Sequence, residues 1–225
     1  MKLTEYQNLI NQHRDEFETY FEELVSYNDK VNLTAITEKN DVFTKHFLDS
    51  IIAVDAIPVN SKVVDIGTGA GFPSLPLKIV RPDIDITMVD SLNKRITFLD
   101  YLCNKLNIKS TNVHSRAEDF AKKNFEKFDI AVARAVAKLN TLLEYLLPLL
   151  KIGGFVIAYK GSNYEEELKD SKKSLEILGG KVLKTIKTQL PNEYGERSLI
   201  IIEKVKPTPT KYPRGGNQPK LKPII

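Results

Sequence analysis

The glycine-rich segment near residue 67 constrains the fold of this chain more than any other feature. Residues 63–71 read Val-Val-Asp-Ile-Gly-Thr-Gly-Ala-Gly, and the next apolar run, residues 85–90, ends in Asp90. An apolar strand, a glycine-rich turn and a helix, with a carboxylate at the end of the next strand about twenty residues on, predict a nucleotide-like ligand at the carboxyl ends of the strands. The alternative is a turn whose glycines only let strand and helix pack closely.

The acidic residue before the turn, Asp65, indicates which ligand fits. A dinucleotide would bring two phosphates to this turn, and a fixed carboxylate would repel them. S-adenosylmethionine instead brings an ammonium and a sulfonium group, and Asp90 would accept hydrogen bonds from the hydroxyls of its ribose. The sequence therefore favours S-adenosylmethionine over NAD, and an NAD-dependent oxidoreductase is kept as an alternative.

The order of the apolar segments predicts the fold class. Strand-like and helix-like segments alternate from residue 62 to residue 178, which predicts a mostly parallel sheet. The last two strands, residues 181–188 and 198–203, have no helix between them and should form an antiparallel hairpin. We therefore predict an α/β, Rossmann-like fold with a seven-stranded, mostly parallel sheet, a C-terminal antiparallel hairpin and an N-terminal helical extension.

Hydrophobic spacing also predicts the longer helices and the division of the chain. Continuous helices are expected over residues 4–27, 37–54, 139–150 and 165–178. The expected parts are an N-terminal helical extension at 1–58, an α/β domain that would bind S-adenosylmethionine at 59–204, and a basic, proline-rich C-terminal tail at 205–225.

Composition excludes several classes of protein. The 225 residues suit one α/β domain with a small addition, and the single cysteine, Cys103, excludes a disulfide framework and a cysteine-rich zinc site. Three scattered histidines have no metal-ligand spacing, and no apolar run is long enough for a signal segment or a membrane span. We therefore expect a cytoplasmic protein that uses no metal and, because no coiled-coil pattern is present, acts as a monomer.

The positive charge of the chain is concentrated at its C-terminus. Residues 204–225 contain six basic and no acidic residues, whereas the rest of the chain contains 27 basic and 29 acidic residues. The same segment holds five of the eleven prolines, which predicts an extended or disordered tail when it is alone. Such a tail either neutralises phosphates of a nucleic acid or only aids solubility, and its charge does not decide between the two.

The residues after the fourth strand bear on the reaction. Transfer of the methyl group of S-adenosylmethionine to an exocyclic amine of adenine typically uses an Asn/Asp-Pro-Pro-aromatic turn. Residues 133–136 here read Ala-Arg-Ala-Val instead. Transfer to a pyrimidine carbon needs a cysteine nucleophile, and Cys103 lies in a predicted helix among apolar residues. Guanine N7 carries a lone pair and no proton, so its methylation needs alignment and no general base. The sequence is compatible with N7 transfer.

Several polar residues outside the turn have two interpretations each. His46 lies in a predicted helix, where a histidine bonded to a neighbour is more common than a site residue. Lys160 and Arg197 lie at strand ends, where they would face a substrate phosphate or be solvated charges. Glu118 would accept the adenine amine or serve as an acid in the first turn of a helix, and Arg134 would face the reaction cleft or solvent.

Taken together, many segments in order resemble the RsmG (GidB) family of bacterial ribosomal RNA methyltransferases. The resemblance covers nearly the whole chain, and the tail segment K-Y-P-R at 211–214 is similar to Gram-positive members. The next residues, 215–218, replace a stretch that is often more basic. The other matching segments are N-D-K-V-N-L-T at 28–34, H-F-L-D-S at 46–50, V-D-I-G-T-G-A-G-F-P at 64–73, residues 77–82, D-S-L-N-K-R-I-T-F-L at 90–99, S-R-A-E at 115–118, R-A at 134–135, Y-K-G at 159–161 and G-E-R at 195–197.

The resemblance implies a class I S-adenosylmethionine-dependent enzyme that methylates N7 of one guanine in the 16S RNA of the small ribosomal subunit. Cofactor-binding residues expected from the motif and the family are Asp65, Gly67, Gly69, Gly71, Phe72, Asp90, Ala117, Glu118 and Arg134. Residues expected to contact the RNA are His46, Lys160, Arg197, Lys211 and Arg214. A methyltransferase for another RNA, a small molecule or a protein, and a non-catalytic binding protein, are the alternatives.

Overall fold

A seven-stranded sheet forms the centre of the molecule. The computed structural model describes residues 1–191 and 194–225. Its strands are β1 (Lys62–Ile66), β2 (Asp85–Asp90), β3 (Thr111–His114), β4 (Phe128–Arg134), β5 (Leu150–Lys160), β6 (Gly180–Gln189) and β7 (Glu196–Lys204). They lie in the order β3-β2-β1-β4-β5-β7-β6, the first five parallel and β7 antiparallel to both neighbours. The predicted seven-stranded, mostly parallel sheet with a C-terminal hairpin is confirmed.

Helices cover both faces of this sheet and form the N-terminal region. They are α1 (Leu3–Gln12), α2 (Arg14–Val31), α3 (Lys39–Val42), a π-helical segment (Phe43–Leu48), α4 (Asp49–Ile51), α5 (Ser74–Val80), α6 (Asn93–Lys105), α7 (Ala117–Lys123), α8 (Leu139–Leu146), α9 (Tyr164–Asp170), α10 (Lys172–Leu178) and α11 (Gln218–Leu221). Short 3₁₀ segments lie at Val54–Ala56 and Leu147–Leu149. No helix in the described part of the chain is long and apolar enough to cross a membrane.

Alternating side chains of the strands divide the core into two layers. Val63 of β1 packs with α2, α5 and α6 on one face, whereas its neighbour Val64 packs with α7, α8 and α10 on the other. Successive side chains of a strand point to opposite faces, so a fully apolar strand supplies both layers. The carboxyl ends of the parallel strands are thereby held at one edge of a rigid sheet.

Three predicted helices are interrupted. The first, predicted over 4–27, breaks at His13, and the second, predicted over 37–54, contains the π-helical segment. The helix predicted over 165–178 breaks at Ser171, whose hydroxyl donates to the carbonyl of Glu167 at 2.6 Å. Serine competes in this way with the helical backbone pattern, which explains the interruption. The helix predicted over 139–150 ends earlier, before Pro148, which cannot donate a backbone hydrogen bond.

The C-terminal tail packs onto α8. The sequence predicted a tail that is extended or disordered when it is alone; in the whole molecule Tyr212 and Ile224 are buried in the layer that contains α8. The Thr141 hydroxyl donates to the carbonyl of Pro219 at 3.1 Å. Arg214 lies on Glu144, which is fully buried. A few apolar contacts and one ion pair therefore hold the tail in place, and the composition of the segment does not reveal them.

Candidate active site

A cavity of about 720 Å³ opens at the carboxyl ends of β1, β4 and β5. Its walls come from the glycine-rich turn, the end of β4 and the N-terminal helices, with lining residues that include Thr34, Lys45, His46, Asp49, Gly67, Phe72, Arg134, Lys160, Glu167 and Arg197. A smaller cavity of about 260 Å³ lies beside it, toward β2 and β3. The two share Gly67, Arg95, Ala135 and Val136, so they form one continuous site.

Gly67 lies where the two cavities meet, and its place requires a glycine. Its φ is +73°, a conformation that favours glycine, and a Cβ there would lie 2.9 Å from Cγ2 of Val136. Backbone atoms therefore form this wall of the site. Gly69 also has a positive φ, +61°, and its amide donates to Oδ2 of Asp90 at 3.0 Å.

Asp90 presents a buried carboxylate to the smaller cavity. Oδ2 accepts from the Gly69 amide and from Nη1 of Arg95 at 3.1 Å, while Oδ1 accepts from the Leu92 amide at 2.9 Å. These bonds fix the carboxylate at the end of β2, next to Gly67. The carboxylate retains acceptor capacity for a diol, because each of its oxygens has two lone pairs and Oδ1 has one described donor.

Asp65 is fully buried beneath the turn and does not line either cavity. Its Oδ2 accepts from the hydroxyl of Ser74 at 2.7 Å, and its Oδ1 has no hydrogen-bond partner among the described residues. Burial raises the pKa of Asp65 to about 7, although the Ser74 hydrogen bonds oppose the shift. Asp65, which the sequence predicted to bind the cofactor, therefore supports the turn from behind and does not contact a ligand in either cavity.

His46 forms one wall of the larger cavity as a neutral ring. It stacks on Phe72 with ring centres 4.5 Å apart, and Phe72 stacks in turn on Tyr20. Nδ1 of His46 lies 3.2 Å from Nη2 of Arg134, which can only donate, so Nε2 carries the proton and donates to the Thr34 hydroxyl at 2.8 Å. Burial and the Arg134 charge lower the pKa of His46 to about 4.

Arg134 and Arg197 meet at one buried carboxylate. Nη1 of Arg134 donates to Oδ2 of Asp49 at 2.7 Å, and Nε of Arg197 lies 3.0 Å from Oδ1 of the same residue. Asp49 begins α4, so this cluster joins the N-terminal extension to the ends of β4 and β7. Arg134 also lies over the ring of Phe72, 5.0 Å from its centre.

Lys160 and Glu167 close the opposite side of the larger cavity. Nζ of Lys160 donates to the carbonyl of Ala137 at 2.8 Å and lies 2.6 Å from Oε2 of Glu167. The same carboxylate oxygen accepts the Leu139 amide at 2.7 Å. This lysine is thus held by β5 at the cavity edge, and its charge is balanced.

Comparison with known proteins identifies the family. The model of the GidB family, described as rRNA small subunit methyltransferase G, matches residues 13–199. Ribosomal RNA small subunit methyltransferase G of Lactobacillus johnsonii is 47% identical over 96% of this chain and 93% of its own, and that of Desulforamulus reducens is 47% identical over 99% and 92%. The chain belongs to this family. The family predicted from the motifs is confirmed.

Solved structures support the fold. A methyltransferase from Pyrococcus furiosus aligns with a TM-score of 0.57 at 16% identity, covering 85% of this chain and 99% of that one. TYW2 from M. jannaschii, solved in complex with AdoMet, aligns with a TM-score of 0.55 at 16% identity, covering 70% and 73%. The predicted class I fold, that of S-adenosylmethionine-dependent methyltransferases, is confirmed.

The smaller cavity fits the cofactor that this fold implies. The glycine wall lets a ligand lie against backbone at Gly67, and a buried carboxylate at Asp90 suits a ribose diol. Ala117 lines the cavity, which leaves room for a flat ring beside it. The described lining contains no lysine and one arginine, Arg95, which is paired with Asp90, so the cavity is not arranged for a pyrophosphate.

Four other predicted residues lie outside the two cavities. Gly71 has a φ of +102° and faces Tyr20 and Leu99, so its role is packing. Glu118 is buried on α7, with Oε1 3.8 Å from Arg116. The remaining two predicted residues, Lys211 and Arg214, lie in the tail and line neither cavity.

Sequence reasoning missed several residues of this site. Asp49 lies within the H-F-L-D-S segment and Arg95 within D-S-L-N-K-R. Both segments resemble the family, but the sequence indicated no role for either residue. Ala135 has a φ of +56°, which is uncommon for a residue with a Cβ, and it borders both cavities. Ala135 belongs to the R-A segment at 134–135, but nothing in the sequence indicated its strained backbone.

Proposed function

We propose that this chain transfers the methyl group of S-adenosylmethionine to N7 of one guanine in small-subunit ribosomal RNA. The observation that carries the proposal is the pair of joined cavities, one suited to the cofactor and one large enough for a base, which meet at Gly67. Family membership supports the choice of ribosomal RNA. The enzyme is proposed to act as a cytoplasmic monomer.

The cofactor would supply a methyl group on a sulfonium, which makes the methyl carbon electrophilic. In this proposal Asp90 accepts hydrogen bonds from the ribose, and the backbone at Gly67 lies against the ligand at the junction of the cavities. Ala117 borders the adenine, and the buried Asp65 supports the glycine-rich turn from behind. These contacts fix the direction in which the methyl group faces the larger cavity.

The larger cavity has the composition that transfer to N7 requires. Its described lining contains two carboxylates, Asp49 and Glu167, and each is paired with a cation. His46 is neutral at physiological pH but its Nδ1 faces Arg134, so it is not placed to take a proton from substrate. A reaction that needs a base has no free base here, whereas N7 of guanine needs only alignment and exclusion of water.

We assign the binding of RNA to the residues of the cavity rim. His46, backed by the ring of Phe72, offers a flat surface against which a base can stack, and Lys160 and Arg197, each paired with a carboxylate, lie near it at the cavity edge. Lys211 is exposed in the tail and remains a proposed contact. Arg214 is paired with Glu144, and its role in binding RNA stays a prediction.

Methyl transfer from labelled S-adenosylmethionine tests the proposal. The substrate is the small ribosomal subunit from cells that lack this protein, and the control is the subunit from cells that contain it. We expect label only in the first sample, recovered after nuclease digestion as 7-methylguanosine. Label in another nucleoside, in protein, or in neither sample would contradict the proposed reaction.

A further inference from the structure

A third cavity lies at the edge of the sheet, next to β3, and the proposed chemistry does not use it. We call it the β3 groove. It has a volume of about 560 Å³, opens to solvent, and is lined by Ser91, His114, Ser115, Arg116, Asp119, Lys122 and Lys123. Its arginine, Arg116, follows β3, and its two lysines, Lys122 and Lys123, lie in the last turn of α7.

The charges of the β3 groove are predominantly positive and are exposed. Arg116, Lys122 and Lys123 face a single carboxylate, Asp119. Within residues 1–191 and 194–225, Lys122 and Lys123 form no ion pair, and the Arg116 side chain is 63% exposed. Unpaired lysines gathered in a groove create a local positive potential that attracts a polyanion.

The β3 groove is continuous with the candidate active site. Ser91 and Ser115 line both the groove and the smaller cavity, which meets the larger cavity at Gly67. In the sheet order, the ends of β3 and β4 are three strand spacings apart, about 14 Å. A chain of nucleotides that reaches one cavity can therefore extend over the cofactor to the other.

The docked tail lies beside one lysine of the groove. A Cβ on Gly215 would lie 3.1 Å from Nζ of Lys122, so the tail backbone runs beside α7. The preceding residue, Arg214, is fixed on Glu144. This pairing holds the tail beside Lys122, which lines the groove.

We propose that the β3 groove binds the phosphate backbone of the RNA that flanks the target guanine. The inference rests on the proposed function, because the groove lies beside that active site and the ligand is the same RNA. Lysine and arginine contacts to phosphate fix the position of a nucleic acid without reading its sequence. Lys122 and Lys123 are therefore positioning residues that hold the substrate and do not take part in methyl transfer.

A matched pair of double variants tests this inference. Lys122→Gln/Lys123→Gln removes both lysine charges from α7, and Lys172→Gln/Lys173→Gln removes two exposed, adjacent lysines from α10, which packs beside β6 at the opposite edge of the sheet. Steady-state methylation of small subunits is measured for each at several salt concentrations. The affinity for S-adenosylmethionine and the thermal midpoint are measured as controls.

We expect the α7 variant to raise KM for the subunit about five- to tenfold while kcat and cofactor affinity stay unchanged. The slope of log affinity against log salt concentration should fall by about 1 to 2, because each phosphate that the protein no longer neutralises lowers this slope by about 0.7 to 0.9. The α10 variant should behave as the wild type. If the α7 variant has a lowered thermal midpoint, Arg116→Gln in the same groove replaces it.

Two outcomes separate the inference from the proposed function. If the wild type methylates subunits but both double variants have the same KM and salt slope as the wild type, the groove does not bind RNA. If the wild type methylates nothing, the proposed function is wrong, and binding of labelled 16S RNA by fluorescence anisotropy still tests the groove. Equal salt slopes for all three proteins in that assay would overturn the inference.

Discussion

Single residues account for how this site can hold a cofactor and a base together. The glycine at position 67 brings backbone to the junction of the two cavities, and the neutral histidine at position 46 supplies a flat wall without a charge. The first property arises from the residue type, because glycine has no Cβ, whereas the second arises from the burial of His46 beside Arg134. Each of them can be changed by one substitution.

Gly67→Ala should weaken binding of S-adenosylmethionine at least about tenfold, or about 1.4 kcal/mol. The added Cβ would lie 2.9 Å from Cγ2 of Val136, and the alanine backbone would have to adopt a φ of +73°. Calorimetric titration measures the affinity. Val136→Ala in the same chain should restore part of it, because only Cβ of residue 136, at 3.6 Å, would remain near. Unchanged affinity in Gly67→Ala would place the cofactor elsewhere.

His46 should make stability depend on pH in one direction. Its pKa is about 4 in the folded protein and about 6.5 in an unfolded chain, so between these values the unfolded state binds more protons. The free energy of unfolding therefore falls as pH decreases from about 6.5 to 4 and gains nothing from this group above 6.5. Urea denaturation at pH 7.5 and 4.5 should show a smaller loss for His46→Asn than for the wild type. Equal losses would contradict the neutral, buried assignment.

Among the elements, the C-terminal tail differs most from what its composition predicts. Arg214 donates from Nε to Oε1 and from Nη2 to Oε2 of Glu144, a bidentate pair on a carboxylate that is fully buried. Such a pair is specific in direction and position. It converts a proline-rich segment into a fixed part of the fold.

Removing one partner of this pair should destabilise the protein. Arg214→Ala leaves Glu144 buried without its cation, and we expect a loss of about 3 kcal/mol in the free energy of unfolding. Lys211→Ala, an exposed position in the same tail, should change it by less than about 0.5 kcal/mol. Urea denaturation measures both. If Arg214→Ala were as stable as Lys211→Ala, the tail would not be held by this pair.

The N-terminal extension is the second element whose role depends on distant contacts. The bond between Arg134 and Asp49 joins residues 85 positions apart, and it places the π-helical segment against the end of β4. The larger cavity therefore does not exist without the extension. This is why a division of the chain into an extension and a separate domain, as we propose from the sequence, describes its parts but not its site.

At the scale of the whole molecule, binding of the cofactor should raise thermal stability. A ligand at one hundred times its dissociation constant stabilises the folded state by about 2.7 kcal/mol, which corresponds to about 5–10 °C for a chain of this size. S-adenosylmethionine should produce this shift in the thermal midpoint, and NAD at the same concentration should not. A shift with NAD alone would favour the oxidoreductase alternative.

The sequence was informative wherever the pattern is local. Strand positions, the hairpin and the glycine turn follow from alternation and from residue types that a short segment shows, so the two hairpin strands were predicted within about two residues of their observed bounds. Contacts between distant segments were not predicted. The pair formed by Arg134 and Asp49 and the pair formed by Arg214 and Glu144 each depend on how the fold brings separate helices and strands together.

The central claim is that this protein, with its cofactor and substrate bound in the joined cavities, methylates N7 of one guanine. Because an N7-methylated guanine makes an RNA chain cleavable by reduction and aniline treatment, cleavage of 16S RNA maps the product directly. RNA from cells lacking this protein is compared after complementation with the wild type or with Gly67→Val. We predict one cleavage site that the wild type restores and the variant does not. Absence of the site with the wild type, or equal cleavage with the variant, would contradict the account.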